Sequence, residues 1–310
     1  MQILKLKEGQ YIDFLNFKRI AALISAILIL GGIISIVSHN GLKYGIDFKG
    51  GTNVQIQFSK QPNLDEIRNI FSAKGMSNIV LQTFGDIKNK ELLLGLPLNS
   101  PLGTGDKLIA ELKRILHADE VEIEIRRIET IGPKVGDELK ISAIKAIFIA
   151  LGLVLLYITI RFQWRQGVSA IIALLHDVTI VVGIFSIFDK EFTLTVVAAL
   201  LTVVGYSLND TIVVFDRIRE NLGKYRKKTM EETINLSITE TLSRTLITSG
   251  TTILVVLALF LLGGEIIHDF SFALLVGVLI GTYSSIYVAS PVVIYLTKLM
   301  PPSGEGTKSS

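Results

Sequence analysis

GYSLNDTIVVFDRIREN, from Gly205 to Asn221, closes an apolar run that begins near Phe192 and is long enough to cross a membrane. Asp210 lies inside that run, because Val213, Val214 and Phe215 still follow before charge returns at Asp216 and Arg217. A carboxylate in hydrocarbon costs roughly 2.5–3.5 kcal/mol on insertion scales, so such a residue faces a partner or a water path. The competing reading is a polar residue near a helix end that reaches the interface. A span over Phe192–Phe215 puts Asp210 roughly 9 Å from its centre. Ser207 and Asn209 flank it as polar support, Gly205 leaves room for a neighbouring helix, and Asp216 marks the surface.

The rest of the chain fits a polytopic membrane protein. Mean hydropathy is +0.52 and 49% of the 310 residues are hydrophobic, too apolar for an ordinary soluble domain. Six spans are expected: Ile20–Val37, Ile141–Ile160, Val168–Phe188, Phe192–Phe215, Leu246–Leu262 and Phe270–Leu296. The first has no small-residue cleavage site and reads as a retained span. Lys5, Lys7, Lys18 and Arg19 precede the first span, Arg161 and Arg165 sit between the second and third, and Arg217 to Lys228 follow the fourth. The opposite turns offer only Lys190, so the positive-inside rule places both termini in the cytoplasm. The expected layout is a cytoplasmic N-terminus (1–19), a first span (20–37), an extracytoplasmic domain (38–138), a five-helix bundle (139–300) and a disordered cytoplasmic tail (301–310). A polar linker over 217–240 interrupts the bundle, with a helix start at Thr229 and a basic run suited to anionic lipid headgroups. Absence of cysteine excludes disulfides and thiol catalysis, and four scattered histidines make no metal site. No G-x-x-x-x-G-K-[ST] motif occurs, which argues against ATP as energy source and against an enzyme.

Between the first two spans the pattern is strand, helix, strand, strand, helix, strand. Val54, Ile56 and Phe58 alternate with glutamines. Asn63 and Gly75 bracket a helix. Ile79–Phe84 and Glu91–Leu98 are strands around the turn Asp86–Lys90, a helix runs from Asp106 to His117, and Val121–Arg126 alternates again. This βαββαβ order predicts a ferredoxin-like α+β domain. It holds no nucleophile–base pair or ligand cluster, so a gripping or moving part is expected rather than a catalytic one.

The third span carries His176-Asp177 near its midpoint, a second intramembrane carboxylate. His176 is either a proton carrier or a hydrogen-bonded core residue. Arg244 stands at the mouth of the fifth span, before a small polar stretch that includes Ser249 and Gly250. It can either meet Asp210 as a charge switch or simply anchor its span. Gly277 and Gly281 in the sixth span form a close-packing face, and Pro291 marks that span's end.

GIDFKGGT (Gly45–Thr52), LLHDV (Leu174–Val178), the Gly205–Asn221 stretch and SRTLITSGTT (Ser243–Thr252) resemble, in this order, the SecD/SecF family of protein-export membrane proteins within the resistance-nodulation-division superfamily. The resemblance covers nearly the whole chain. It implies one six-span half in the bacterial inner membrane, paired with SecD about a pseudo-twofold axis and associated with SecYEG and often YajC. It implies that the proton-motive force, with protons as coupling ion and no other cofactor, pulls or releases a translocating preprotein on the outer side. No nucleic acid enters. Asp210 is then the proton-binding carboxylate, Arg244 its switching partner, and Asp177 belongs to the third-span motif. The alternatives are a proton-coupled exporter of drugs or lipids from the same superfamily, or a scaffold subunit without ion coupling.

Overall fold

The computed structural model describes residues 9–76, 79–84, 89–116 and 122–300, apart from the side chains of 265 and 266. The tail 301–310, residues 1–8, most of the expected Asp86–Lys90 turn, His117 and Val121 lie outside them.

Helix α1 (Lys18–Ser38) leads through the single turn α2 (Ile46–Lys49) into a domain of β1 (Gly51–Phe58), α3 (Leu64–Ala73), β2 (Val80–Phe84), β3 (Glu91–Leu96), α4 (Gly105–Leu116) and β4 (Ile123–Ile131). The sheet runs β2-β3-β1-β4 with every neighbour antiparallel, so β3 lies between the two strands that α3 connects. Phe71 of α3 and Leu108 and Leu112 of α4 cover Val54, Ile56, Leu92 and Leu94 as one core. Asn63 caps α3 as expected, accepting from the Asp65 and Glu66 amides. Strand β4 runs five residues past the alternating stretch, to Ile131. Its outer half carries Arg126, Arg127 and Glu129 on an edge where polar side chains stay wet, so alternation faded from the sequence.

Five further helices complete the bundle: α5 (Pro133–Arg161), α6 (Trp164–Ile187), α7 (Leu194–Lys224), α8 (Met230–Leu262) and a last one that runs as α9 (Gly264–Ser284), a wide turn (Ser285–Ala289) and α10 (Ser290–Leu299). Together with α1 they make six helices long and apolar enough to cross a membrane. Half of the apolar window is buried in α6 and α7, and 44% in the last helix, against 17% in α1, α5 and α8. The helices that carry carboxylates are therefore the inner ones.

Two expectations change. The stretch 217–240 is not a linker: α7 continues to Lys224 and α8 starts at Met230, with a Thr229–Glu232 capping box. Its polar side chains pair between the two helices, Asn221 donating to Ser237 (3.0 Å) and Glu240 (2.7 Å), which made the sequence look solvated. The described residues before α1 also pack on α8. A turn over Phe14–Phe17 buries Leu15, whose amide donates to Asn235 Oδ1 (3.1 Å), while Asn235 donates to Asp13 (2.8 Å). Pro291 does not end the last helix. The wide turn before it relaxes the hydrogen-bond ladder, and Ser290 Oγ donates to the Ser285 carbonyl (2.9 Å).

The joint between domain and bundle is built from GIDFKGG. Gly45 N donates to Phe192 O (3.0 Å), Phe192 N to Lys43 O (2.7 Å), and Asp47 Oδ2 accepts from Leu194 N (2.8 Å) at the start of α7. Gly50 and Gly51 have φ of +75° and +155°, and a Cβ there would lie 3.0 Å from the Ile131 carbonyl and 2.6 Å from that of Leu96. Both glycines serve the turn into β1. Beside this joint Glu191 lines a groove of about 820 Å³ with Lys43, Tyr44, Lys49, Val80 and Leu98. Burial pushes its carboxyl above the ordinary range, against the pull of Lys43. A raised folded-state value makes Glu191's contribution to stability fully present below its unfolded value, and that contribution is lost as pH rises through the folded one. Glu191→Gln is therefore expected to raise the thermal midpoint at pH 7–8 and leave it unchanged at pH 4, as read by differential scanning fluorimetry.

Candidate functional site

Small residues bring the inner helices close enough to share polar groups. A Cβ on Gly277 would lie 2.1 Å from Val203 Cγ2, and one on Gly281 would lie 2.9 Å from Ser207 Cβ, so α9 rests directly on α7. The close-packing glycine pair of the sixth span thus meets α7 of the same chain. Gly32 and Gly183 make the corresponding crossing between α1 and α6, where an added Cβ would meet the opposite Cα at 2.7 Å. Gly205 and Gly250, expected to pack helices, have open space instead.

At this crossing Asp177 is 1% exposed. Its Oδ2 accepts from Ser207 Oγ of α7 (2.6 Å) and Ser284 Oγ of α9 (2.7 Å), and its Oδ1 meets His176 Nδ1 (2.8 Å). The other ring nitrogen of His176 lies 2.9 Å from Ser25 Oγ on α1. Ser25 reaches Tyr283 OH (3.1 Å), which donates to the Ala21 carbonyl (2.6 Å) and stacks on the His176 ring. Four transmembrane helices thus meet in one hydrogen-bonded network. Ser25 and Tyr283 were not singled out in the sequence, because isolated hydroxyls are ordinary in apolar helices. The wide turn immediately after Ser284 adds backbone irregularity at the same level, a recurrent companion of functional sites.

Asp210 is 2% exposed and lies one turn along α7 from Ser207, roughly 4.5 Å in rise. Its only donor among the described residues is Ser249 Oγ at a long 3.4 Å. Ser249 also receives Tyr206 OH (3.2 Å) and pairs with Thr282 Oγ1 (2.7 Å), so three hydroxyls gather where the carboxylate is least satisfied. The two carboxylates therefore differ in kind. Asp177 meets three close partners, whereas Asp210 has a single long one and can take a proton without breaking an established hydrogen bond.

The remaining expected residues do not join them. Arg244 is exposed and forms no ion pair with Asp210 among the described residues. Asn209 is exposed, pointing away from Asp210. Asp216 pairs with Arg161 (3.4 Å) and Arg219 (3.2 Å) at the bundle surface. No group of three or more His, Cys, Asp or Glu suited to a metal occurs among the described residues.

A multi-pass helical membrane protein with two enclosed carboxylates and one small α+β domain is the class these observations define. Residues 111–299 match the family model for the C-terminal region of protein export membrane protein SecD/SecF, and residues 36–62 match the SecD/SecF GG motif. The chain belongs to the SecD/SecF family. It is 46% identical to protein translocase subunit SecF of Vibrio alginolyticus, over 97% of this chain and 96% of that one. It is 47% identical to the Desulfurispirillum indicum protein of the same name, over 92% and 91%. A crystal structure of SecDF, a translocon-associated membrane protein from Thermus thermophilus, superposes with a TM-score of 0.80 at 38% identity, covering 95% of this chain. The present chain spans only 40% of that longer one. These relatives are named as translocase subunits, not as members of an enzyme family.

Proposed function

We propose that this chain works as the SecF-type half of a SecD–SecF pair that uses the proton-motive force to drive late preprotein translocation and release. Asp210 carries the coupling proton, and protons are the only cofactor. The observation that carries this reading is a fully buried carboxylate in an inner helix with one weak donor and unfilled acceptor sites. The solved SecDF chain is more than twice as long as this one, which supports a SecD-type partner supplying the rest of the assembly. SecYEG and YajC complete the machinery, in the bacterial inner membrane with both termini cytoplasmic and the domain outside. In the state described, Arg244 makes no ion pair with Asp210; the switch has it approach when Asp210 is ionised and withdraw when the proton arrives. A proton crossing yields about 2.3 kcal/mol per 100 mV, enough to tilt the outer domain about its GIDFKGG joint through a population shift.

Asp210→Asn keeps shape and removes the titration. In inverted vesicles it is expected to cut potential-driven late export by about tenfold or more, leaving the potential-independent part intact. An Asp210→Asn chain whose export responds to the potential like the parent would favour the scaffold reading.

A further inference from the structure

The network that ties α1 to the inner helices can be counted proton by proton. Four contacts run in series: Asp177 Oδ1 to His176 Nδ1 (2.8 Å), His176 Nε2 to Ser25 Oγ (2.9 Å), Ser25 Oγ to Tyr283 OH (3.1 Å), and Tyr283 OH to the Ala21 carbonyl (2.6 Å). Each needs one hydrogen. A neutral imidazole brings one, Ser25 one and Tyr283 one, which leaves one contact without a hydrogen when Asp177 is ionised. One added proton completes the series: Nδ1–H donates to Asp177, Nε2–H to Ser25, Ser25 to Tyr283, and Tyr283 to Ala21. Ser207 and Ser284 already hold the other carboxylate oxygen, so they cannot supply the missing hydrogen.

From this count we infer that the His176–Asp177 pair is a second proton-binding site, and that the proton it takes from the aqueous phase latches α1 onto α6 and α9. With the proton the pair carries no net charge, which suits an apolar surrounding; without it a single negative charge remains and one link to α1 opens. The titratable groups nearby are few. Tyr283 stacks on the ring from α9, Tyr287 packs on Tyr283, and Asp210 lies one turn along α7. Helix α1 adds only Lys18 and Arg19, in its first turn, just before Ala21 and roughly 9 Å in rise from Ser25. Because α1 runs directly into the outer domain, loss of the latch frees the element through which that domain is anchored. Glycine contact at Gly32–Gly183 holds the rest of the crossing, so α1 loosens without leaving, and the Ser35–Ser186 pair (2.9 Å) on the next turn senses that loosening.

This inference extends the proton-coupled reading, and its test does not use export. The chain has no cysteine, so Ser35→Cys with Ser186→Cys gives a clean α1–α6 cross-link in bilayers. The cross-linking rate, divided by that of the same pair carrying His176→Gln, is expected to fall several-fold between pH 5 and pH 8.5. Ser25→Ala should abolish that pH response in the same way, which covers the case of a His176→Gln chain that does not fold. Asp210→Asn should retain it. Nitrogen NMR of histidine-labelled chain should show both His176 nitrogens protonated in the latched state, or Asp177 protonated beside a singly protonated ring. A ring with a single proton beside an ionised Asp177 at every pH, a rate ratio that stays flat between pH 5 and pH 8.5, a response unchanged by Ser25→Ala, or a response lost in Asp210→Asn would each overturn the inference.

Discussion

Asp177→Ala is expected to lower the stability of the bundle by about 2–5 kcal/mol, the largest effect of any single substitution in the inner helices. Ser207, Ser284 and His176 all lose their acceptor at once. Interhelical hydrogen bonds in membranes average only ~0.6 kcal/mol, but a buried group left without a partner costs about 1–3 kcal/mol, and Ser207 and His176 Nδ1 are orphaned together while Ser284 keeps the Gly281 carbonyl (3.1 Å). Asp177→Asn keeps an acceptor oxygen and should lose about 1–2 kcal/mol, since the charge alone is removed. Reversible unfolding in mixed micelles separates the two. An alanine chain within about 0.5 kcal/mol of the parent would show that the carboxylate does not hold these helices together.

The second large effect is steric. Gly277→Ala places a methyl 2.1 Å from Val203 Cγ2 and 2.7 Å from Cγ1, and a β-branched side chain in a helix has no second rotamer to retreat into. Overpacking of this kind costs about 1–3 kcal/mol. Val203→Ala removes both opposing methyls, so the double substitution should recover at least half of the loss, a coupling of about 1 kcal/mol. Gly205→Ala and Gly250→Ala serve as controls. Both sites are open, and alanine there should be neutral or stabilise the isolated chain by up to about 1 kcal/mol. Gly281→Ala meets Ser207 at 2.9 Å and should also disturb the Asp177 hydrogen bond, which Gly277→Ala leaves alone.

What the sequence made legible follows from which signals are strong. Long apolar runs are unmistakable, so the six spans stood out, yet their ends did not. Helices α7 and α8 run well beyond the hydrocarbon-like stretches on polar residues that pair with each other, such as Asn221 with Glu240. Asp177, His176 and Asp210 were legible because charge inside an apolar run is costly and therefore informative. Their partners were not, since Ser25, Ser249 and Ser284 cost little wherever they lie. A helical-wheel reading would have shown Ser207 and Asp210 on one face of α7, but nothing in one chain's letters says that α9 presents Ser284 there. Arg244 shows another limit. Similar depth left a meeting with Asp210 and a simple span anchor both open, because the direction of a side chain around its helix axis decides contact, and in the described state this side chain is exposed. Gly277 and Gly281 were read as close-packing residues, but whether such a face meets another subunit or the same chain depends on tertiary placement.

The account stands on Asp210 gaining and losing a proton while enclosed by α7 and α8. Infrared difference spectroscopy of the full chain in bilayers, recorded across a pH step, reads this directly. The account predicts a protonated-carboxyl stretching band that changes with pH and disappears in Asp210→Asn while persisting in Asp216→Asn. A spectrum with no pH-dependent carboxyl band assignable to Asp210 would contradict it.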